Sequence, residues 1–334
     1  MTTLLKHPHA EILVEDLADG RRGVKVTLQD ANLFMPMDRC KTTYPLDLIQ
    51  VILDVKGPCY LCDEIAREED AEYLKKDLTN DLMAYFDEAD FGNKRILDFG
   101  CGSGASTMIL SRMFPSSEIV GIELDEKFLS VAHARLRHYG FTNVELKLSM
   151  DGTRLPQDIG WFDFVVLSAV YEHLLPNERR TVLPKIWAAI REHGFLFINM
   201  TPHRFFPIEH HTTGLPLINY LPAHLAMAAA RRLSNRIDKR EPWEMLLRRG
   251  IRGATEREIL DILRQEATHQ PVLLEPSQRG LHDRIDLWYS GLNRERRRAL
   301  KLMLNATIRG IKAISGLTLL PNLSLVIQKA ETAS

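Results

Sequence analysis

The sequence predicts an α/β protein built on a doubly wound, mostly parallel sheet of seven strands, with an N-terminal addition and an insert after the fifth strand. Two observations predict this fold. From Arg95 onward, short apolar runs alternate with helical segments, a pattern typical of parallel strands joined by helical crossovers. The first apolar run ends in a glycine cluster, where open α/β sheets bind their ligands.

The composition is that of an ordinary globular protein. The chain has 334 residues, of which 45% are hydrophobic and 26% charged, enough for an α/β core of roughly 200 residues with ~100 residues of additions. The formal net charge of −1 argues against a general polyanion binder. An acidic run over residues 61–91 and a basic run over 294–312 are expected on solvated helix faces, although the basic run also suits an anionic partner.

The first residues and the cysteines indicate the cellular setting. Charged side chains and no apolar run follow the initial Met1, so no signal peptide is expected. Cys59 and Cys62 have zinc-like local spacing, but no second pair lies at a suitable distance, and all four cysteines are interpreted as reduced thiols. The sequence therefore predicts a cytoplasmic protein.

The first 90 residues are expected to form a hairpin and a helical lid. Two alternating segments, Glu11–Glu15 and Gly23–Leu28, flank the turn signal Asp19–Gly20. Helical spacing follows over Leu46–Asp54 and Glu64–Phe86.

The next 110 residues carry the regular alternation. The expected helices are Ser106–Phe114, Glu126–Tyr139 and about Asn177–Glu192, and the expected strands are Arg95–Phe99, Glu118–Glu123, Val144–Leu148, Phe162–Leu167 and Gly194–Asn199.

Alternation stops after the fifth strand and resumes at Thr255, which has capping-box spacing to Glu258. The predicted domains are therefore 1–90, a ligand-binding domain over 91–200 and 253–334, and a substrate-lid insert over 201–252. The remaining elements are expected to be a basic helix over Leu292–Ile314 and strands over Pro271–Glu275 and Leu323–Lys329.

The glycine loop Asp98–Gly104 is the strongest functional signal. Glycines let the backbone turn sharply and approach a ligand. The loop lacks the register of a dinucleotide fingerprint, because Thr107 stands where a further glycine would be expected. The second strand ends in Glu123, and a carboxylate there can accept both ribose hydroxyls of an adenosine cofactor.

Four motifs in order resemble those of the class I S-adenosylmethionine-dependent methyltransferases. They are Arg95–Gly104, Val120–Asp125, Ser149–Pro156 and Trp161–His173. The family usually has Asp where this chain has Glu123, and Asp125 is the fallback for that position. The resemblance implies a Rossmann-like methyltransferase fold with S-adenosylmethionine as the cofactor.

The resemblance also implies roles for individual residues. Asp98 orients the glycine loop and approaches the methionine ammonium, Glu123 holds the ribose, and Asp151 contacts the adenine. The backbone at Ser168 and Ala169 faces the methionine. The other expected cofactor contacts are Gly100, Cys101, Gly102, Gly104, Leu124 and Gly152.

Methyl transfer to an alcohol also requires a base, and two segments offer one. A proline-punctuated loop after the fifth strand carries Glu209, His210 and His211, and the pair Glu172–His173 directly follows the fourth strand. The preferred base is His210, followed by His173 and then His211, with Glu209 orienting or charging the ring. No metal ion is expected.

The acceptor stays open at the level of sequence. The loop Thr201–Pro222 resembles a bacterial subgroup linked with surface polysaccharide or glycolipid modification, which favours an oxygen of a glycan, a glycolipid or another small molecule. A quinone or polyketide-like acceptor and a non-catalytic cofactor-binding regulator are the alternatives. Nucleic acid is not expected. The stretch Tyr220–Arg232 suits either a buried helix or peripheral contact with a membrane or partner.

Overall fold

A computed structural model describes residues 2–30, 33–152, 154–265, 269–292 and 298–331. The chain divides into two compact units, residues 1–79 with 101–148 and residues 80–100 with 149–334. The three domains drawn from the sequence stay a prediction.

The first unit begins with an antiparallel sheet whose strand order follows the chain. The predicted hairpin is confirmed, because β2 and β3 pair on either side of Asp19–Gly20. Alternate side chains such as Ile12 and Val14 are buried, so one face of this sheet packs on the first helices. Its strands are β1 (Thr2–His7), β2 (Ala10–Asp16), β3 (Arg22–Leu28) and β4 (Arg39–Thr42).

The helices after this sheet differ in part from the prediction. Helix α1 (Leu46–Lys56) is confirmed, but the single helix expected over Glu64–Phe86 is wrong. The segment forms α2 (Leu61–Glu69) and α3 (Leu74–Leu82), separated at Asp70. The backbone of Asp70 is extended and its side chain accepts a hydrogen bond from the Glu72 amide at 2.9 Å, a local bond that competes with the helix.

The seven-stranded, mostly parallel sheet is confirmed, with the order β10-β11-β9-β8-β5-β6-β7. Strand β8 pairs in parallel with both β5 and β9, and β6 pairs in parallel with β7. Strand β11 is antiparallel to both of its neighbours. The strands are β5 (Arg95–Phe99), β6 (Glu118–Glu123), β7 (Val144–Leu148), β8 (Phe162–Ser168), β9 (Ile190–Pro202), β10 (His269–Leu274) and β11 (Asn322–Glu331).

Helix α9 (Glu256–Leu263) begins where the sequence places its cap. Thr255 Oγ1 accepts a hydrogen bond from the Glu258 amide at 3.1 Å, as the capping-box spacing predicts. Among the described residues, no helix has both the length and the apolar character of a membrane span. The helices are α4 (Ala105–Met113), α5 (Glu126–Tyr139), α6 (Pro176–Ala188), α7 (Ala223–Leu233), α8 (Trp243–Arg248), α9 (Glu256–Leu263), α10 (Arg284–Ser290) and α11 (Arg298–Ser315).

The C-terminal half contains the expected basic helix and the apolar stretch of the insert. The basic helix expected from Leu292 is described from Arg298 as α11, and residues 293–297 lie outside the described part of the chain. The insert has a small core of its own, in which Ala226 and Ala230 of α7 pack with Leu246 of α8. The α7 helix is thus partly buried, while Leu225 and Leu233 remain exposed.

A buried ion pair organises the first unit. The side chain of Arg135 on α5 has no solvent exposure, and its Nη1 donates to Glu64 Oε1 of α2 at 3.0 Å. The same Nη1 donates to the backbone oxygen of Ser103 at 2.9 Å, and Lys56 Nζ reaches Glu64 Oε2 at 3.0 Å. Glu64 and Glu68 are buried, so the expectation that the acidic run lies on solvated faces is wrong for these two residues.

The ion pair has a consequence for acid stability. Burial by itself would raise the pKa of Glu64, but Arg135 and Lys56 outweigh it and lower the pKa from its ordinary 4.5 to about 2. Because the folded pKa lies below the unfolded one, the contribution of Glu64 to stability is fully present above about pH 4.5 and is lost as the pH falls towards 2.

We therefore expect the free energy of unfolding to fall more steeply with acid in the wild type than in Glu64→Gln, measured by urea unfolding between about pH 5 and pH 3. Glu72→Gln is the matched control, because the Glu72 side chain is 77% exposed and should leave the wild-type slope unchanged. Parallel slopes for the wild type and Glu64→Gln would contradict the assignment.

Candidate active site

The first half of the glycine loop lies in the second unit, at the end of β5. Asp98 is 1% exposed, and its backbone pairs with Val166 of β8. Gly100 has φ +72°, and a Cβ there would lie 2.8 Å from Val170 Cγ1. Packing against Val170 therefore accounts for the glycine at this position.

The second half of the loop lies in the first unit and leads into α4. Gly104 has φ +84°, and a Cβ there would lie 2.7 Å from the Cβ of Ala132. Gly102 also has positive φ, at +56°, but no atom lies within 4 Å of where its Cβ would be. Close packing thus explains Gly104, whereas Gly102 faces open space that a ligand could fill.

Glu123 stands at the end of β6 and binds the same loop. Its Oε2 accepts a hydrogen bond from the Gly102 amide at 2.8 Å, and its Oε1 accepts from the amides of Leu124 at 2.7 Å and Asp125 at 3.0 Å. Asp125 is the N-cap of α5 and accepts from the Lys127 amide at 2.8 Å. The carboxylate beside the open space is therefore that of Glu123, and Asp125 is occupied as a helix cap.

Three further cofactor candidates lie in the second unit, whereas Cys101, which is buried, and Leu124 lie in the first. Asp151 and Gly152 are half-buried after β7, and Asp151 Oδ2 pairs with Arg154 Nε at 3.3 Å; Thr153 lies outside the described residues. Ser168 is nearly buried at the end of β8. The expected contacts of Asp151, Gly152 and Ser168 with the cofactor stay predictions.

Three of the acceptor-side candidates come together after β8 and β9. Glu172 Oε1 lies 3.7 Å from His173 Nε2 and 3.8 Å from His211 Nε2. The Glu172 side chain has no solvent exposure, whereas the side chains of His173 and His211 are 43% and 28% exposed. We call these three residues the Glu–His cluster. Their ring and carboxylate atoms converge on one point that solvent can reach.

Neighbouring groups fix each member of the Glu–His cluster. Thr201 Oγ1 on β9 donates to Glu172 Oε2 at 2.9 Å, and His173 Nδ1 lies 2.6 Å from the carbonyl oxygen of Arg248. Since a carbonyl only accepts, Nδ1 carries the hydrogen and Nε2 of a neutral His173 presents a lone pair. Burial raises the pKa of Glu172 and lowers that of His211 to about 4, so His211 is neutral near pH 7.

Two residues favoured by the sequence lie outside this cluster. His210 is exposed, and its Nε2 lies 3.0 Å from Asn322 Oδ1. Glu209 is buried and accepts hydrogen bonds from the amides of His211, Thr212 and Thr213, so its carboxylate closes the loop. The bases proposed from the sequence stay proposals, but only His173 and His211 share a point of convergence among the described residues.

The sequence places Glu172 beside His173, but it predicts neither the complete burial of Glu172 nor its hydrogen bond with Thr201. The available signal for this site is the charged pair Glu172–His173 directly after an apolar strand, because a carboxylate there is either exposed or buried with a partner.

Comparison with known proteins assigns a family domain. Residues 96–194 match the methyltransferase domain family. The chain is 38% identical over 95 residues to protein-L-isoaspartate O-methyltransferase of Nitrobacter winogradskyi, covering 28% of this chain and 42% of that protein. It is 33% identical over 113 residues to trans-aconitate 2-methyltransferase of Variovorax paradoxus, covering 34% and 40%.

A demethylmenaquinone methyltransferase of Lactococcus lactis is 30% identical over 134 residues, 40% of this chain and 52% of that protein. The chain thus matches these three curated relatives over 40–52% of their length. Among solved structures, a plantazolicin methyltransferase aligns over 85% of this chain and 96% of its own with a TM-score of 0.47 and 16% identity. A likeness at that level is too weak to assign a function.

The open space at Gly102 gives a direct test. Gly102→Ala should weaken binding of S-adenosylmethionine by at least about tenfold in calorimetry, because the new Cβ would occupy the ligand's space. Gly140→Ala is the matched control: Gly140 has φ +65° and open space around its Cβ, so it carries the same backbone strain away from the loop. Equal losses in the two variants would mean that strain, and not a ligand contact, explains the result.

The end of β6 gives a second test. Glu123→Ala should weaken binding of S-adenosylmethionine by roughly 1.5–3 kcal/mol, the range for hydrogen bonds to a charged group. Asp125→Ala should lower thermal stability through loss of the α5 cap and leave cofactor affinity unchanged. A loss of affinity confined to Asp125→Ala would assign the ribose to that residue instead.

Proposed function

We propose that this chain, which carries a class I S-adenosylmethionine-dependent methyltransferase domain over residues 96–194, transfers the cofactor's methyl group to an oxygen atom of a small-molecule or glycan acceptor. The observation that carries the proposal is the open space at Gly102 beside the half-buried carboxylate of Glu123 at the end of β6. When bound, the cofactor supplies a methyl group that its positively charged sulfur has already activated.

The chain's own residues would bind and orient this cofactor. The Gly102 backbone would approach it closely, Glu123 would accept hydrogen bonds from its ribose, and Asp151 would contact the adenine. Asp98 and the backbone at Ser168 would face the methionine. The set that the motifs suggest is completed by Gly100, Cys101, Gly104, Leu124 and Gly152.

On the acceptor side, the protein's task is to place a hydroxyl oxygen in line with the methyl group and to help remove its proton. The Glu–His cluster suits this task, since a buried carboxylate and two imidazoles converge at a solvent-accessible point. His173 and His211 are therefore the favoured pair. His210, whose Nε2 contacts Asn322, is the weaker candidate.

A specific observation favours an anionic acceptor within this class. A cavity of about 390 Å³ is lined by Arg179, Arg180, Arg204 and Arg252 and by two acids, Glu258 and Asp261, of which Glu258 pairs with Arg179 at 3.0 Å. Burial and the neighbouring Arg204 lower the pKa of Arg252, and Arg204 Nε is buried without a hydrogen-bond partner among the described residues. A phosphate or carboxylate of the acceptor would relieve this like-charge crowding.

The activity test is formation of S-adenosylhomocysteine from S-adenosylmethionine with a panel of acceptors. The panel pairs neutral glycans and quinols with their phosphorylated or carboxylated counterparts. Turnover with any hydroxyl acceptor supports the proposal, and faster turnover of the anionic members favours the arginine cavity. Cofactor binding without turnover on any member would favour a non-catalytic regulator.

The Glu–His cluster predicts which two histidines are needed for turnover. His173→Ala and His211→Ala should each lower turnover by about 10²–10⁴-fold, with cofactor affinity retained, because the acceptor loses help with its proton. His224→Ala, an exposed change on α7, is the control for folding and assay. If His210→Ala alone is inactive, the base lies in the loop after β9 and the cluster has another role.

A further inference from the structure

We propose that Glu172, His173 and His211 bind a divalent metal ion of the Zn²⁺ or Co²⁺ type, through Glu172 Oε1 and the Nε2 atoms of both histidines. The consequence for catalysis rests on the proposed methyl transfer, but the binding itself does not. The argument uses the geometry of the three ligand atoms, their unsatisfied lone pairs and the groups that hold them.

The three atoms lie at separations that a metal ion can bridge. Glu172 Oε1 is 3.7 Å and 3.8 Å from the two Nε2 atoms, and all three lie within 4.8 Å of one another. Zn²⁺ bound to nitrogen and carboxylate oxygen at about 2.0–2.2 Å in tetrahedral geometry holds its ligands about 3.3–3.5 Å apart. Small rotations of the side chains would close the remaining difference.

The lone pairs of the cluster require a positive centre. Thr201 satisfies Glu172 Oε2, but Oε1 is buried and has no hydrogen-bond partner among the described residues. Because His173 Nδ1 is bonded to the Arg248 carbonyl, the lone pair of a neutral His173 is on Nε2, which lies 3.7 Å from Glu172 Oε1. Acceptors that face one another across less than 4 Å repel unless a cation or a proton lies between them.

The surroundings have the form of a metal site's outer shell. Metal-binding histidines commonly donate their other ring N–H to a backbone carbonyl, as His173 does, and ligating carboxylates are themselves hydrogen-bonded, as Glu172 is by Thr201. Gly250, with φ +88°, covers the cluster, where a Cβ would lie 3.1 Å from Glu172 Cγ and 3.3 Å from His211 Nδ1. The partial exposure of both imidazoles leaves an entry path.

Three protein ligands leave coordination positions open, which is the arrangement of catalytic rather than structural zinc sites. An acceptor hydroxyl near such an ion would lose its proton to solvent more readily, because the ion stabilises the alkoxide charge. In this way the cluster would activate the acceptor without either imidazole serving as the base. A metal ion at the cluster would also restrict the class of acceptor to molecules with an oxygen atom that can bind the ion.

The experiment titrates Zn²⁺ by calorimetry, and Co²⁺ by visible absorption, into the full chain after removal of its purification tag and of bound metal. We expect one ion per chain. Glu172→Gln, His173→Ala and His211→Ala should abolish this binding. Thr201→Val, which removes only the support of Glu172 Oε2, should weaken it by about 10–100-fold. His224→Ala, which lies on α7, should retain wild-type affinity.

The outcomes separate this proposal from the preceding one, because no cofactor or acceptor is present. The metal site is overturned if the wild type binds no Zn²⁺ or Co²⁺, or if Glu172→Gln binds the ion as tightly as the wild type. In that case a proton would be the positive charge between the acceptor atoms of the cluster. Should the buried change Glu172→Gln fail to fold, the partly exposed His173→Ala decides in its place. Binding at the cluster in a protein that transfers no methyl group would leave the site standing and overturn only the methyltransferase activity.

Discussion

The buried ion pair between Arg135 and Glu64 is the interaction on which the first unit depends. A guanidinium with no solvent exposure is stable only if its donors are satisfied, and here they reach α2, the glycine loop and Tyr44. Removing one partner of such a pair typically costs about 3–5 kcal/mol, because the other charge is left buried. The N-terminal helices are therefore part of the support of the loop and not an independent appendage.

The bonds that hold the glycine loop leave Gly102 with open space at its Cβ position, whereas Gly100 and Gly104 are closely packed. Arg135 donates to the Ser103 carbonyl and Glu123 accepts from the Gly102 amide, so the loop is held on both sides of its open position. Gly104 packs against Ala132 within the first unit. With its neighbours fixed by packing, the space at Gly102 is preformed, which reduces the ordering that a cofactor must impose on binding.

On the acceptor side, the buried carboxylate of Glu172 lies beside the partly exposed imidazoles of His173 and His211. Glu172 is held by Thr201 from β9 and covered by Gly250, so its position is set by two separate segments of the second unit. The insert after the fifth strand contributes His211 and the Arg248 carbonyl to the same point. These two groups complete the Glu–His cluster.

Sequence patterns are sufficient to predict the seven-stranded sheet, the approximate positions of its strands and the glycine loop, but β9 begins at Ile190 and not at Gly194, and β1 and β4 were not predicted. Period-two alternation, apolar runs and glycine spacing are local properties, and they were sufficient for β5 to β9 and for the hairpin around Asp19–Gly20. Local properties failed where partners come from distant segments. The burial of Glu64 by Arg135 and the meeting of Glu172 with His211 depend on contacts between residues far apart in the sequence, which composition and spacing do not encode. Only the tertiary structure decided which of several charged side chains are buried, because burial of a charge is set by the partners that the fold brings to it.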